Sequence, residues 1–290
     1  MIRIEIGQRN YLLYLLLSHP RKIALLSPAS RARLDRINQG FNEAIYSGAG
    51  AAGYDAIHGY AEEAQHDYPA RGLIDSVWAP EGFGRVLELG AGSGYFTALI
   101  ARRATKVVAV EPVPDLARIL GERCRAEGLA GVEIVAATAQ ELDRHVPAGS
   151  IDTAFVIQSL HHFHRRPEVF AALGRAVRPR GRLFLLEPHH NVLRAARLFR
   201  KYVSTYRARE FWTDERNWAT HDFLTRRELV SLCRGGGFED VRVSGFWIPY
   251  SRRIQRDPER RFRLEGRLGR LLGLRHLARV LAVESRRSPA

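Results

Sequence analysis

Residues 85–94, RVLELGAGSG, constrain this chain more than any other stretch. Val86, Leu87 and Leu89 make an apolar run too short for a helix, and it stops at three glycines. That pattern predicts a buried parallel strand running into a tight turn. Gly90, Gly92 and Gly94 alternate with small residues, Ala91 among them, so the backbone can bend sharply and a ligand can approach with no Cβ in the way. Residues 95–103 then read as a helix with cations in its last turn, where they suit the helix dipole. Strand, turn and helix together predict the ligand-binding corner of a doubly wound α/β sheet.

The glycine spacing separates two kinds of ligand. A dinucleotide turn wants Gly-x-Gly-x-x-Gly or Ala, with a small last residue for close helix packing. Tyr95 stands at that place, which argues against a nicotinamide cofactor. The spacing here is Glu88-x-Gly90-x-Gly92-x-Gly94.

The segments after this corner alternate regularly. Strands are predicted at 106–110, 132–136, 151–157 and 182–186, with helices over 115–127 and 168–177, which is the rhythm of a mostly parallel sheet. The rhythm breaks over 188–224, where Val192, Ala196, Phe199, Val203 and Tyr206 fall at helical spacing and Phe211, Trp212 and Trp218 follow. This segment is expected as a lid inserted over the carboxyl edge of the sheet. Thr225-x-x-Glu228 opens a further helix as a capping box, and 241–247 reads as the last strand.

Residues 1–80 precede the sheet as an expected helical cap, with GAGAAG at 48–53 as a flexible joint. The apolar run 11–17 is broken at Ser18-His19-Pro20, too short to cross a bilayer. Glu5 and the lack of a small-residue cleavage site argue against a signal peptide. The run is expected to cover the domain or to touch a membrane.

Charge is uneven. Of a formal net charge of +14, residues 191–290 hold 23 Lys+Arg against 11 Asp+Glu. Residues 251–290 are expected as a basic amphipathic tail, with Leu264, Leu268, Leu271, Leu272, Ala278 and Leu281 recurring at three- and four-residue steps. Such a helix suits an anionic membrane surface, or docks its leucine face on the domain. Cys124 and Cys233 have no metal or catalytic spacing, as expected of free thiols in a reducing, cytoplasmic setting.

The motifs taken in order resemble the class I S-adenosyl-L-methionine (SAM) dependent methyltransferases, small-molecule type, the group that includes ubiquinone and menaquinone biosynthesis enzymes. The resemblance covers about residues 85–247. It implies a Rossmann-like fold, SAM as cofactor and methyl transfer to a small, lipophilic acceptor. Glu88, Gly90, Ala91, Gly92 and Gly94 match the first motif. Glu111, closing the second strand, matches the carboxylate that holds the ribose hydroxyls. Thr138 replaces the Asp that commonly bonds adenine, so Thr138, the Ala139 backbone or Gln140 is expected to recognise that ring. Gln158 matches a residue lining the SAM pocket, and Asp152 one that caps the start of the fourth strand. Gln158-Ser159-Leu160-His161-His162 is the most specific match. The block 177–188 carries Arg180 where the family has glycine and ends in Glu187-Pro188.

Methyl transfer from a sulfonium needs alignment, and a base only if the acceptor keeps its proton until attack. His161 and His162 are the catalytic candidates; His189 and His190 also lie past a strand end. The segment after the fourth strand lacks the Asp/Asn-Pro-Pro-aromatic turn of amino-directed DNA methyltransferases and the Pro-Cys turn of cytosine C5 enzymes, which argues against DNA. An RNA substrate, or a non-catalytic SAM-fold protein acting through its basic tail, are the alternatives. No metal site is expected.

Overall fold

The computed structural model describes residues 17–24, 28, 40, 42–59, 67–75, 81–205 and 224–289. Most of the apolar run at 11–17, and the aromatic residues Phe211, Trp212 and Trp218 of the expected lid, lie outside this set.

Seven described strands form one sheet: β1 (Gly84–Leu89), β2 (Ala104–Val110), β3 (Val132–Val135), β4 (Ile151–Ile157), β5 (Val177–Pro188), β6 (Phe238–Phe246) and β7 (Val280–Arg287). Their order is β3-β2-β1-β4-β5-β7-β6. The first five are parallel, with Leu87 beside Val108 and Ala154, and Ala154 beside Leu183. β7 runs antiparallel to both β5 and β6. This is the Rossmann-like, mostly parallel sheet that the alternation predicts. β1 sits between β2 and β4, so the chain reverses its direction of travel across the sheet there, and a crevice opens outside the carboxyl ends of β1 and β4.

Side chains alternate through the sheet into two cores. Leu87, Leu89, Val108, Ala154, Val156, Leu183 and Leu185 face one side. Val86, Val107, Ala109, Phe155, Phe184 and Leu186 face the other. The helices that matter for the site are α1 (Ala49–Gly59), α2 (Tyr68–Asp75), α3 (Tyr95–Ala101), α4 (Pro114–Ala126), α5 (Arg166–Ala176), α6 (Val192–Thr205), α7 (Arg226–Gly235), α8 (Pro258–Leu268) and α9 (Leu272–Leu277). Phe170 and Leu173 of α5 and Leu229 of α7 fill the first core; Leu73 of α2, Ile100 of α3 and Leu120 of α4 fill the second. Thr225 caps α7 by accepting from Glu228 N at 3.1 Å. Asp152 ties the strand starts together, accepting from Arg85 N at 2.7 Å. Arg180 adopts φ 62, the left-handed conformation that suits the glycine it replaces.

Two expectations need correction. The GAGAAG stretch is not a joint: Gly48 turns at φ 53, and α1 begins immediately after it. Its small residues let α1 close on α4, where Ala51 is fully buried against Val113 and Leu116. Gly48 N donates to Asp115 at 2.7 Å, and Arg123 holds Asp55 at 2.6 Å.

Nor is 251–290 an appendage. Val280 to Val283 are buried on both faces between β5 and β6, as suits a central strand. Leu281 shares a helical spacing with the upstream leucines only by coincidence, because α8 ends at Leu268 and α9 at Leu277. α8 itself is docked. Phe262 stacks on Phe246 with centroids 4.8 Å apart, and fully buried Glu265 accepts from Trp247 N at 2.8 Å and from the Tyr68 hydroxyl.

Candidate active site

The turn after β1 is built from left-handed glycines: φ is 71 at Gly90, 58 at Gly92 and 84 at Gly94. Each has a separate steric reason to lack a side chain. A Cβ at Gly90 would lie 2.5 Å from Ser159 Cβ, and one at Gly94 would lie 2.3 Å from Leu120. At Gly92 it would stand 3.2 Å from the Tyr54 ring, on the wall of a cavity of about 450 Å³.

That cavity lies outside the carboxyl ends of β1, β2 and β4. It gathers Gly90, Gly92, Glu111, Thr138, Ala139, Gln140, Gln158, His161 and His162, all of them expected site residues. It does not gather Glu88, Ala91 or Gly94, which are absent from its lining. Glu88 shares strand parity with Val86 and so points beneath α3, where Thr97 Oγ1 donates to it at 2.6 Å. Burial pushes its carboxyl up to about 8. Ala91 packs in the second core, and Gly94 serves the contact with Leu120.

Glu111 ends β2 and is buried; Oε2 accepts from Gly92 N at 2.8 Å and Oε1 from Val113 N at 2.9 Å. Burial raises its carboxyl above the usual range, against the pull of these two donors. Each oxygen can accept a second bond, and Glu111 lines the cavity, which suits a pair of ligand hydroxyls. Thr138 caps a short 3-10 turn, its amide (3.1 Å) and hydroxyl (2.8 Å) both donating to Glu141 Oε2. Gln140 donates to His164 O at 2.9 Å. Gln158 turns the chain at φ 51 and bonds Leu186 O at 2.7 Å through its backbone.

The four histidines separate. His161 and His162 line the cavity, their ring centroids 4.2 Å apart. His189 instead bonds the Ala278 carbonyl at 2.9 Å, and burial lowers its pKa; His190 meets Arg194 at 2.6 Å. His189 is thus tied into the chain leading to β7, which the sequence reading did not place there, and His190 into α6 and Leu224 O.

Glu187 is the residue that reading passed over. It is fully buried at the end of β5, an acid inside the apolar run LFLLEP, and that misfit is the signal that marks it. Oε1 accepts from Ser159 N at 2.9 Å and Leu160 N at 2.8 Å; Oε2 accepts from His161 N at 3.3 Å and lies 2.8 Å from His161 Nδ1. Burial pushes its carboxyl up to about 8, a rise that these donors and Arg166 only partly offset. The three backbone N–H donors favour the carboxylate, which then accepts from His161 Nδ1–H; a neutral carboxyl would instead donate to Nδ1. Arg166, 1% exposed, secures the same loop, bonding Phe163 O at 3.0 Å and Glu228 at 2.6 Å. Tyr46 and Tyr54 cover the cavity from the N-terminal side. Their rings are 5.3 Å apart, Tyr46 lies 6.1 Å from His162, and burial raises both phenols.

A family model described as "Methyltransferase domain" matches residues 60–243. The chain belongs to this family. Its motifs and sheet are those of the class I SAM-dependent methyltransferases. An uncharacterized methyltransferase of Mycobacterium bovis is 35% identical over 131 residues, 44% of this chain and 49% of that protein. A ubiquinone biosynthesis O-methyltransferase of Xanthomonas euvesicatoria is 27% identical over 161 residues, 56% and 65% of the two chains. The chain thus spans about half to two thirds of the length of these relatives. A SAM-dependent methyltransferase of Thermotoga maritima shares the fold with TM-score 0.54 at 17% identity, covering 88% of this chain and 100% of that one. No group of three or more His, Cys, Asp or Glu among the described residues could hold a metal ion.

Proposed function

We propose that this protein transfers the methyl group of SAM to a small, lipophilic acceptor. The observation that carries the reading is that one cavity holds both the Gly90–Gly92 turn with Glu111 and the pair His161–His162. SAM supplies, when bound, an electrophilic methyl group on a sulfonium. Gly92 leaves room for it at the wall, Glu111 accepts from its ribose hydroxyls, and the start of the turn at Ala139 offers backbone N–H to the adenine ring. Thr138 contributes through its place in that turn, since its own hydroxyl is committed to Glu141.

Tyr46, Tyr54, Phe163 and Leu116 add apolar surface to the same cavity, which suits a lipophilic acceptor. His161 is the general base. The Glu187 carboxylate accepts a hydrogen bond from Nδ1–H, which leaves Nε2 as the basic nitrogen and fixes the ring. His162 lies beside it as a second polar contact. The closure of residues 1–60 and 188–224 over the acceptor as a lid belongs to the same proposal; Tyr46, Tyr54 and Pro188 at the cavity wall support it.

The test is calorimetry with S-adenosylhomocysteine, followed by label transfer from methyl-labelled SAM to a panel of phenols, quinols and lipid extracts. Binding and transfer to a small acceptor are expected. Absence of binding would overturn the cofactor assignment. Binding with transfer only to RNA would overturn the acceptor class.

A further inference from the structure

Six large apolar side chains among the described residues are strongly exposed: Val192 (65%), Phe199 (55%), Val203 (59%), Tyr250 (70%), Ile254 (75%) and Leu271 (56%). They are not scattered. Val192, Phe199 and Val203 lie on α6, which leaves the carboxyl end of β5; Tyr250 and Ile254 follow the carboxyl end of β6. Leu271 caps α9, which leads into β7 at the same edge, where Val280 pairs with Pro188 and Phe246. Every one therefore belongs to the carboxyl edge of the β5-β7-β6 half of the sheet. Pro188, just before α6, also lines the candidate active site.

On α6 the three residues and exposed Ala196 recur at three- and four-residue steps, which makes one stripe along the helix. Exposed Arg197 and Arg200 run beside it, and the helix has no acid. The second segment repeats the composition. Tyr250, Arg252, Arg253 and Arg256 line a surface hollow, exposed Ile254 falls among them in the chain, and residues 250–256 hold no acid. Exposed Arg270 adjoins Leu271. Scattered exposed apolar residues need no explanation, but a set gathered at one edge and interleaved only with cations does.

We propose that this edge docks on an anionic membrane surface, with the α6 stripe, Tyr250 and Ile254 at the acyl boundary and the arginines at the headgroups. Charge decides the occupant. Three apolar segments carrying arginines and no acid match an anionic headgroup layer, to which each basic residue adds about fivefold in partition. No described helix is long and apolar enough to cross a membrane, so the contact is peripheral. This surface differs from the leucine face of 251–290, most of which is taken up by docking and by β7. It is also independent of the methyl-transfer reading.

The full chain should sediment with vesicles of phosphatidylcholine containing about a quarter phosphatidylglycerol, and progressively less as salt rises. Phe199→Glu with Val203→Glu, and separately Arg197→Glu with Arg200→Glu, should each lower the partition at least tenfold while the thermal midpoint and S-adenosylhomocysteine affinity hold. Arg125→Glu, which matches the charge change of the Phe199/Val203 variant but lies at the end of α4 on the opposite edge, should leave it within twofold. Should the α6 variants misfold, Tyr250→Ser with Ile254→Ser provides the same comparison. Equal sedimentation with pure phosphatidylcholine, no sedimentation, or wild-type partition in the folded variants would each overturn the proposal.

Discussion

Nδ1 of His161 and Oε2 of Glu187 lie 2.8 Å apart although 26 positions separate them in the chain, and both side chains are buried. The same carboxylate accepts from three consecutive backbone amides, so one residue at the end of β5 both shapes the loop after β4 and orients the ring that loop carries. His161→Ala should lower turnover about a hundredfold. Glu187→Gln should lower it about ten- to a hundredfold, and the double variant should fall no further than His161→Ala, as expected of residues acting as a unit. Losing the carboxylate removes the group that favours the imidazolium, so the acidic limb of the pH–rate profile should move to lower pH in Glu187→Gln. An unmoved limb would reduce Glu187 to a purely structural role.

Gly92 and Glu111 carry the cofactor assignment. Gly92→Val puts a β-branched side chain at φ 58 beside the Tyr54 ring, and binding of S-adenosylhomocysteine should be abolished. Glu111→Ala removes the acceptor of two hydroxyl bonds and should weaken binding about ten- to a hundredfold. Calorimetry checks both; wild-type affinity in either variant would move the site elsewhere.

Glu88 yields a prediction about stability. Its carboxyl is raised to about 8 from an ordinary value of 4.5, so between those pH values the folded state holds a proton that the unfolded chain releases. Stability from this group is therefore complete below pH 4.5 and lost as pH rises through 8, by an amount on the order of a few kcal/mol. Glu88→Gln should flatten that slope in thermal melts across the window. It should change S-adenosylhomocysteine affinity less than about threefold, because the side chain faces α3 and not the cavity. A larger loss would restore Glu88 to the site.

How much of this was legible in the sequence follows from locality. The turn at Gly90–Gly94, the strand ends at Glu111 and Gln158 and the pair His161–His162 are short-range patterns, and the structure brings all but Glu88, Ala91 and Gly94 to one cavity wall. Those three were grouped by motif, which does not say to which face of a strand a residue points; Glu88 follows Val86 to the far side. Glu187 was visible only as part of a block, since its partners lie 26 to 28 positions upstream. The tail was misread for a related reason. Val280 to Val283 form a four-residue apolar run whose identity as a strand depends on β5 and β6 lying either side of it, and a spacing rule applied along the chain cannot see those neighbours.

The position of β7 changes what a truncation can report. Ending the chain at Tyr250 would remove the strand that hydrogen-bonds β5 along Arg182–Pro188 and β6 along Phe238–Phe246. It would also remove Phe262 and Glu265, which close the second core over Phe246 and satisfy Trp247 N. Two apolar strands would be left with open edges, a template for aggregation. We expect the truncated chain to lose its cooperative thermal transition and to be recovered mainly as aggregate. Val283→Asp, a single buried charge in the same strand, should reproduce much of that loss. Arg263→Ala, on the exposed side of α8, should leave the unfolding free energy within about 1 kcal/mol of wild type. A truncated chain that unfolds cooperatively at the wild-type midpoint would show that β7 is dispensable to the sheet.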